Sequence, residues 1–96
     1  MPVVNLSLQV LPVVDEKDIY PVVDSVIEMI RETGLKFEVG AMETTIEGEL
    51  DELLEIVKKA QTICVEKGAS RVVSMVKIDY KPEGVTMDEK TYKYRK

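Results

Sequence analysis

The side chains best placed to do chemistry in this chain are short acceptors at alternate positions of strand-like segments. Asn5, Ser7 and Gln9 interleave with Val4, Leu6, Leu8 and Val10, Glu38 sits between Phe37 and Val39, Thr45 and Glu47 flank Ile46, and Lys77 and Asp79 interleave with Val76 and Ile78. Successive side chains of a strand point to opposite faces, so each polar set shares the face its apolar neighbours leave free. Carboxylates at Glu38, Glu47 and Asp79 can accept from an amine or offset a fixed positive charge, while hydroxyls at Ser7 and Thr45 can orient ring nitrogens. Such a face suits a small organic cation. It equally describes an ordinary wet sheet surface, which antiparallel sheets commonly keep on one side.

The residue inventory narrows the chemistry further. Among 96 residues there is no His and a single cysteine, Cys64. Without His the usual general base near neutral pH is missing, and no G-x-S-x-G turn sets up a nucleophile. A lone Cys forms no internal disulfide and anchors no soft metal site, so metal trafficking lacks its Cys-x-x-Cys pair and a reducing compartment is expected. The net charge of -5 and pI of about 4.8 oppose nucleic acid and favour cationic partners. No apolar stretch approaches the roughly 20 residues of a membrane helix, and nothing basic precedes the first strand-like segment. A cytoplasmic, non-enzymatic protein with no membrane partner is the expectation.

These side chains need elements to hold them. Residues 3 to 11 alternate as a strand, and residues 19 to 30 place Ile19, Val22, Val23, Val26, Ile27 and Ile30 at helical spacing, with Asp18 as a cap and Gly34 as a stop. Residues 35 to 41 and 44 to 47 read as a hairpin. A second helix is expected over residues 49 to 67, with Leu50, Leu53, Leu54, Val57, Ala60 and Cys64 as its apolar stripe and Gly68 beyond its end. Acids in its first turn and lysines later suit the helix dipole. Cys64 on that stripe reads as a small core residue.

Residues 71 to 80 form a last strand, with Val72, Ser74, Val76, Ile78 and Tyr80 on one side, Tyr80 closing the core, and Val73, Met75, Lys77 and Asp79 on the other. Thr86-Met87-Asp88-Glu89 has capping-box spacing and predicts a short helix through about Tyr94. The order βαββαβ predicts an α+β fold: a ferredoxin-like sandwich, a four-stranded antiparallel sheet with two helices on one face, followed by the short C-terminal helix. Residues 1 to 96 are expected to form one ligand-binding domain, whose basic tail, residues 81 to 96, docks on a neighbouring subunit.

The most distinctive stretch is residues 38 to 49, Glu-Val-Gly-Ala-Met-Glu-Thr-Thr-Ile-Glu-Gly-Glu, where glycines bracket a loop rich in hydroxyls and acids that feeds a helix. Turn chemistry alone would account for such residues. Yet the stretch resembles the signature of the small thiamine-binding protein family, typically Gly-Pro-Met-x-Thr-x-Ile/Val-Glu-Gly, with Ala41 where Pro is common. The likeness extends through Ser7, the segment Lys77-Ile78-Asp79-Tyr80 and the tail Gly84-Val85-Thr86-Met87-Asp88-Glu89-Lys90.

This resemblance implies a non-catalytic ferredoxin-like protomer that assembles through its sheets as a dimer of dimers. It implies thiamine or hydroxymethylpyrimidine as the bound ligand, held near a subunit interface on the open sheet face, with no separate cofactor. Carried over by motif, the ligand-binding positions are Ser7, Met42, Thr44, Thr45 and Glu47; Glu38 and Asp79 join them on strand parity. Competing readings are a regulatory domain of the amino-acid-binding kind, which would normally accompany an enzyme, and a purely oligomeric structural domain. An acylphosphatase-like enzyme would need an Arg and a phosphate cradle in residues 11 to 16, Leu-Pro-Val-Val-Asp-Glu, which supply neither.

Overall fold

The computed structural model describes residues 2–95. Strand β1 (Val3–Pro12) leads through a 3-10 turn at Glu16–Asp18 into helix α1 (Ile19–Glu32); β2 (Lys36–Val39), β3 (Thr44–Glu49), α2 (Leu50–Glu66) and β4 (Val72–Asp79) follow, and a tail carries α3 (Met87–Thr91). The strands form one antiparallel sheet in the order β2-β3-β1-β4, the ferredoxin-like arrangement that the alternation of periods predicts. Long β1 is central because it is apolar on one face along nearly its whole length and can be covered there from end to end.

The core lies between that face and the two longer helices. Val4, Leu6, Leu8 and Val10 of β1 and Ile46 of β3 pack with Val22, Val26 and Ile30 of α1 and with Leu53, Ile56, Ala60 and Cys64 of α2. The stripe of α2 is rotated slightly from its sequence reading. Ile56 is buried while Leu54 is 39% exposed, because burial of Leu53, Ala60 and Cys64 turns the helix so that Ile56 completes the i, i+3, i+7 line. Gly34 and Gly68, at φ 77° and 106°, take the left-handed conformation that terminates each helix.

Gly48 belongs to the sheet rather than to the helix it was expected to introduce, pairing with Val4 one position beyond the anticipated end of β3, which runs on to Glu49. A Cβ there would lie 3.2 Å from Leu35 and 3.4 Å from Leu53, so the missing side chain lets α2 settle close on β3. The edge strand β4 keeps its expected parity but not its expected burial. Val76, Ile78 and Tyr80 remain 38–52% exposed, because the helices do not reach the outer edge of the sheet.

Cys64 is fully buried, and desolvation pushes its thiol pKa up, away from the reactive thiolate. A thiol reagent such as DTNB is therefore expected to label the native protein no faster than the protein unfolds, and to label it at once in denaturant. Rapid native labelling would contradict the packing of α2.

Candidate ligand cleft between the sheet and the C-terminal tail

Strand register sets the polar face as two rows. Glu38, Thr45, Ser7 and Lys77 lie side by side across the sheet, and next to them Lys36, Glu47, Asn5 and Asp79 form the second row. Four of the sequence-predicted positions, Ser7, Glu38, Thr45 and Asp79, line one cleft of about 360 Å³ on this face. The far wall comes from the tail, through Met87, Lys90 and Thr91, and the hairpin adds Glu43.

The tail packs on the sheet of its own chain. Val3 O accepts from the Val85 N–H at 2.9 Å, Val85 O accepts from Asn5 Nδ2 at 3.2 Å, and Glu47 Oε1 accepts from the Met87 N–H at 2.6 Å. Val85 and Met87 are buried as a result. The predicted capping box forms: Thr86 Oγ1 accepts from the Glu89 N–H at 3.2 Å, and Glu89 Oε1 accepts from the Thr86 N–H at 2.7 Å.

This docking changes the electrostatics that the strands alone imply. Lys90 lies 2.5 Å from Asp79, Arg95 lies 3.4 Å from Glu38, and Lys77 lies 3.5 Å from Glu43. Every acid in the cleft thus has a basic neighbour, and the acidic surplus of the strands is offset largely by the tail. All three pairs are substantially exposed, so each holds its partners only loosely.

Three sequence-predicted positions lie elsewhere. Glu47 shares the open face, but its carboxylate is engaged in holding Met87. Thr44 is opposite Leu8 and Val39, which puts its side chain on the helix-covered face, where it is 7% exposed. Met42, at the hairpin tip, lines a second groove of about 230 Å³ between α1 and the hairpin, whose walls include Tyr20, Val23 and Thr44. Strand parity alone places Thr44 away from the open face; the motif sets that parity aside. The contributions of Met87, Lys90 and Thr91 left no periodic signal, because spacing does not show where a short amphipathic tail docks; only the likeness of residues 84 to 90 to the family pattern pointed to the tail.

Lys36 donates to Asp88 at 2.5 Å, and with Arg95 it holds the Asp88 carboxyl below the usual range; the Thr86 backbone N–H does the same for Glu89. Both carboxylates have depressed folded-state pKa values, so what Asp88 contributes to tail docking and Glu89 to the cap of α3 is complete above the ordinary carboxylate range. It is lost as pH falls through that range toward the lowered values. On acidification below about pH 4 the amides of residues 85 to 91 are expected to lose hydrogen-exchange protection before those of β1 do. Simultaneous loss would show that these pairs do not secure the tail.

Fold and cleft together define a ferredoxin-like α+β domain with a small polar site on its sheet. A family model described as thiamine-binding protein matches residues 6–95. The chain belongs to that family. A UPF0045 protein of Clostridium perfringens is 67% identical over 91 residues, covering 95% of this chain and 96% of the relative. A UPF0045 protein of Methanocaldococcus jannaschii is 36% identical over 73 residues, covering 76% and 72%. Among solved structures, a Bacillus cereus domain of unknown function aligns with TM-score 0.92 at 53% identity, covering 98% of this chain and 91% of that one. A Thermotoga maritima protein provisionally named for thiamine biosynthesis or salvage aligns with TM-score 0.90 at 41% identity, covering 98% and 100%.

Proposed function

We propose that the cleft between the sheet and the tail binds thiamine or its hydroxymethylpyrimidine portion reversibly and without chemical turnover. The observation that supports this most is the grouping of Glu38, Glu43 and Asp79 around the Ser7 and Thr45 positions in a cleft of about 360 Å³. That volume suits one small heteroaromatic ring system. Three carboxylates can balance a thiazolium charge and accept from a pyrimidine amine, and hydroxyls can meet ring nitrogens. Membership of the thiamine-binding family supports the same ligand. The protein then serves as a carrier, buffer or sensor in the cytoplasm.

Calorimetric titration tests this with thiamine, hydroxymethylpyrimidine and thiamine diphosphate. Thiamine is expected to bind, and the diphosphate more weakly, since the chain's net charge of -5 opposes its anionic end. Absence of heat and of competition with all three compounds would overturn the reading.

The proposal extends to assembly. Val73 and Met75 on the open face and Val76, Ile78 and Tyr80 along the β4 edge are exposed apolar groups beside Asp79. A second copy covering them would put the cleft next to a subunit interface, in a dimer of dimers. Light scattering that reports a monomer at tens of micromolar, by rough choice of working range, would remove this part.

A further inference from the structure

The cleft contains one polar group that the fold does not use. Asn5 lies on β1 directly opposite both Glu47 and Asp79 and is only 4% exposed. Its Nδ2 donates to the Val85 carbonyl at 3.2 Å. A carbonyl only accepts, so the amide must turn its nitrogen to Val85, and this fixes Oδ1 on the other side. Among the described residues, that Oδ1 is the one buried side-chain polar atom without a hydrogen-bond partner. Buried acceptors are nearly always paired, and an exception calls for an explanation.

We propose that Asn5 is the specificity-determining residue of the cleft, its Oδ1 accepting a hydrogen bond from an exocyclic amine on a planar heteroaromatic cation. The surroundings select the donor. Oδ1 is flanked across the sheet by Asp79 and Glu47, both acceptors, so an amine with two N–H groups can serve Asn5 and a carboxylate together. A carbonyl oxygen in the same place would face the Asn5, Asp79 and Glu47 oxygens and leave Oδ1 unpaired, finding a donor only by drawing Lys90 away from Asp79. Oδ1 is itself buried although Asn5 lines the cleft, so a ligand seated there meets it by displacing the side chains that cover it, with the Asn5–Val85 hydrogen bond kept.

This inference rests on the ligand reading above and is tested by a ratio that the reading alone does not fix. The probes are thiamine and oxythiamine, in which oxygen replaces the exocyclic amine. The protein is expected to prefer thiamine by roughly ten- to hundredfold in Kd. Asn5→Leu should weaken thiamine toward the affinity of oxythiamine and bring the ratio close to one. Asn5→Asp, which retains an acceptor, should keep a preference for the amine. If Asn5 serves only to hold the tail, Asn5→Leu will weaken both ligands equally and leave the ratio unchanged, which overturns the proposal. Should Asn5→Leu fail to fold, the unaltered protein decides: equal binding of the two compounds overturns the role of Asn5 while leaving thiamine binding intact. Binding of neither compound overturns the ligand reading itself, and this inference with it.

Discussion

Leu53→Ala is expected to remove about 2–5 kcal/mol of folding stability, a large part of the roughly 5–15 kcal/mol that holds a domain together. Leu53 is fully buried, and its Cδ2 lies 3.4 Å from where a Cβ on Gly48 would stand. The leucine therefore rests on bare strand backbone. No side chain at position 48 can turn into the space the leucine would vacate, so the cavity persists and its cost adds to the lost transfer energy. The same contact seats α2 on β3, the strand that carries Thr45 and Glu47. Leu54→Ala, one position along and 39% exposed, should cost less than about 1 kcal/mol. Urea denaturation of both variants checks this, and similar midpoints would refute the packing assigned to Gly48.

The second large effect concerns ligand affinity. Combining Glu38→Gln with Asp79→Asn should weaken thiamine binding by about ten- to hundredfold, the equivalent of roughly 1.4–2.8 kcal/mol. A buried pair would lose more; these side chains are about half exposed, and solvent screens them. Both acids sit at opposite sides of the cleft, on β2 and β4, so neither compensates for the other. The substitutions also free Lys90 and leave Arg95 with Asp88 as its partner, which adds repulsion against a cation. Glu52→Gln is the control: it lies at the start of α2, its carboxylate accepts from the Glu49 N–H, and it has no contact with the cleft. Comparable loss in the control and the double variant would mean that only the diffuse field matters.

The folding pattern was legible where spacing carries information. Period-two runs gave β1 and β4, the spacing of Val22, Val26 and Ile30 gave α1, and Thr86 with Glu89 announced the start of α3. Parity also brought Ser7, Glu38, Thr45 and Asp79 to one face, since register in an antiparallel sheet follows from the apolar pattern. Where burial depends on neighbours rather than on pattern, the sequence was silent. Val76, Ile78 and Tyr80 have the alternation of covered residues, yet they lie on an edge the helices do not span. Docking of the tail rests on the backbone bond from Val85 to Val3, the Asn5 amide bond to Val85, one backbone donor to Glu47, the burial of Val85 and Met87, and a few charge pairs between residues far apart in the chain. None of these leaves a periodic trace, so Glu47 looked free to meet a ligand while the fold uses it to hold Met87.

The pairing of Asp79 with Lys90 and of Glu38 with Arg95 bears on how ionic strength acts on the cleft. A bare acidic site would lose affinity for a cation steeply as salt rises, because screening weakens the only attraction present. On the proposed reading an incoming cation would replace cations already in place, so that one ion pair is exchanged for another. Added salt loosens the tail as well as the ligand, and the two effects oppose each other. Affinity for thiamine should consequently vary little between low and physiological ionic strength, and truncation before Lys90 should restore the steep dependence of an unguarded acidic surface.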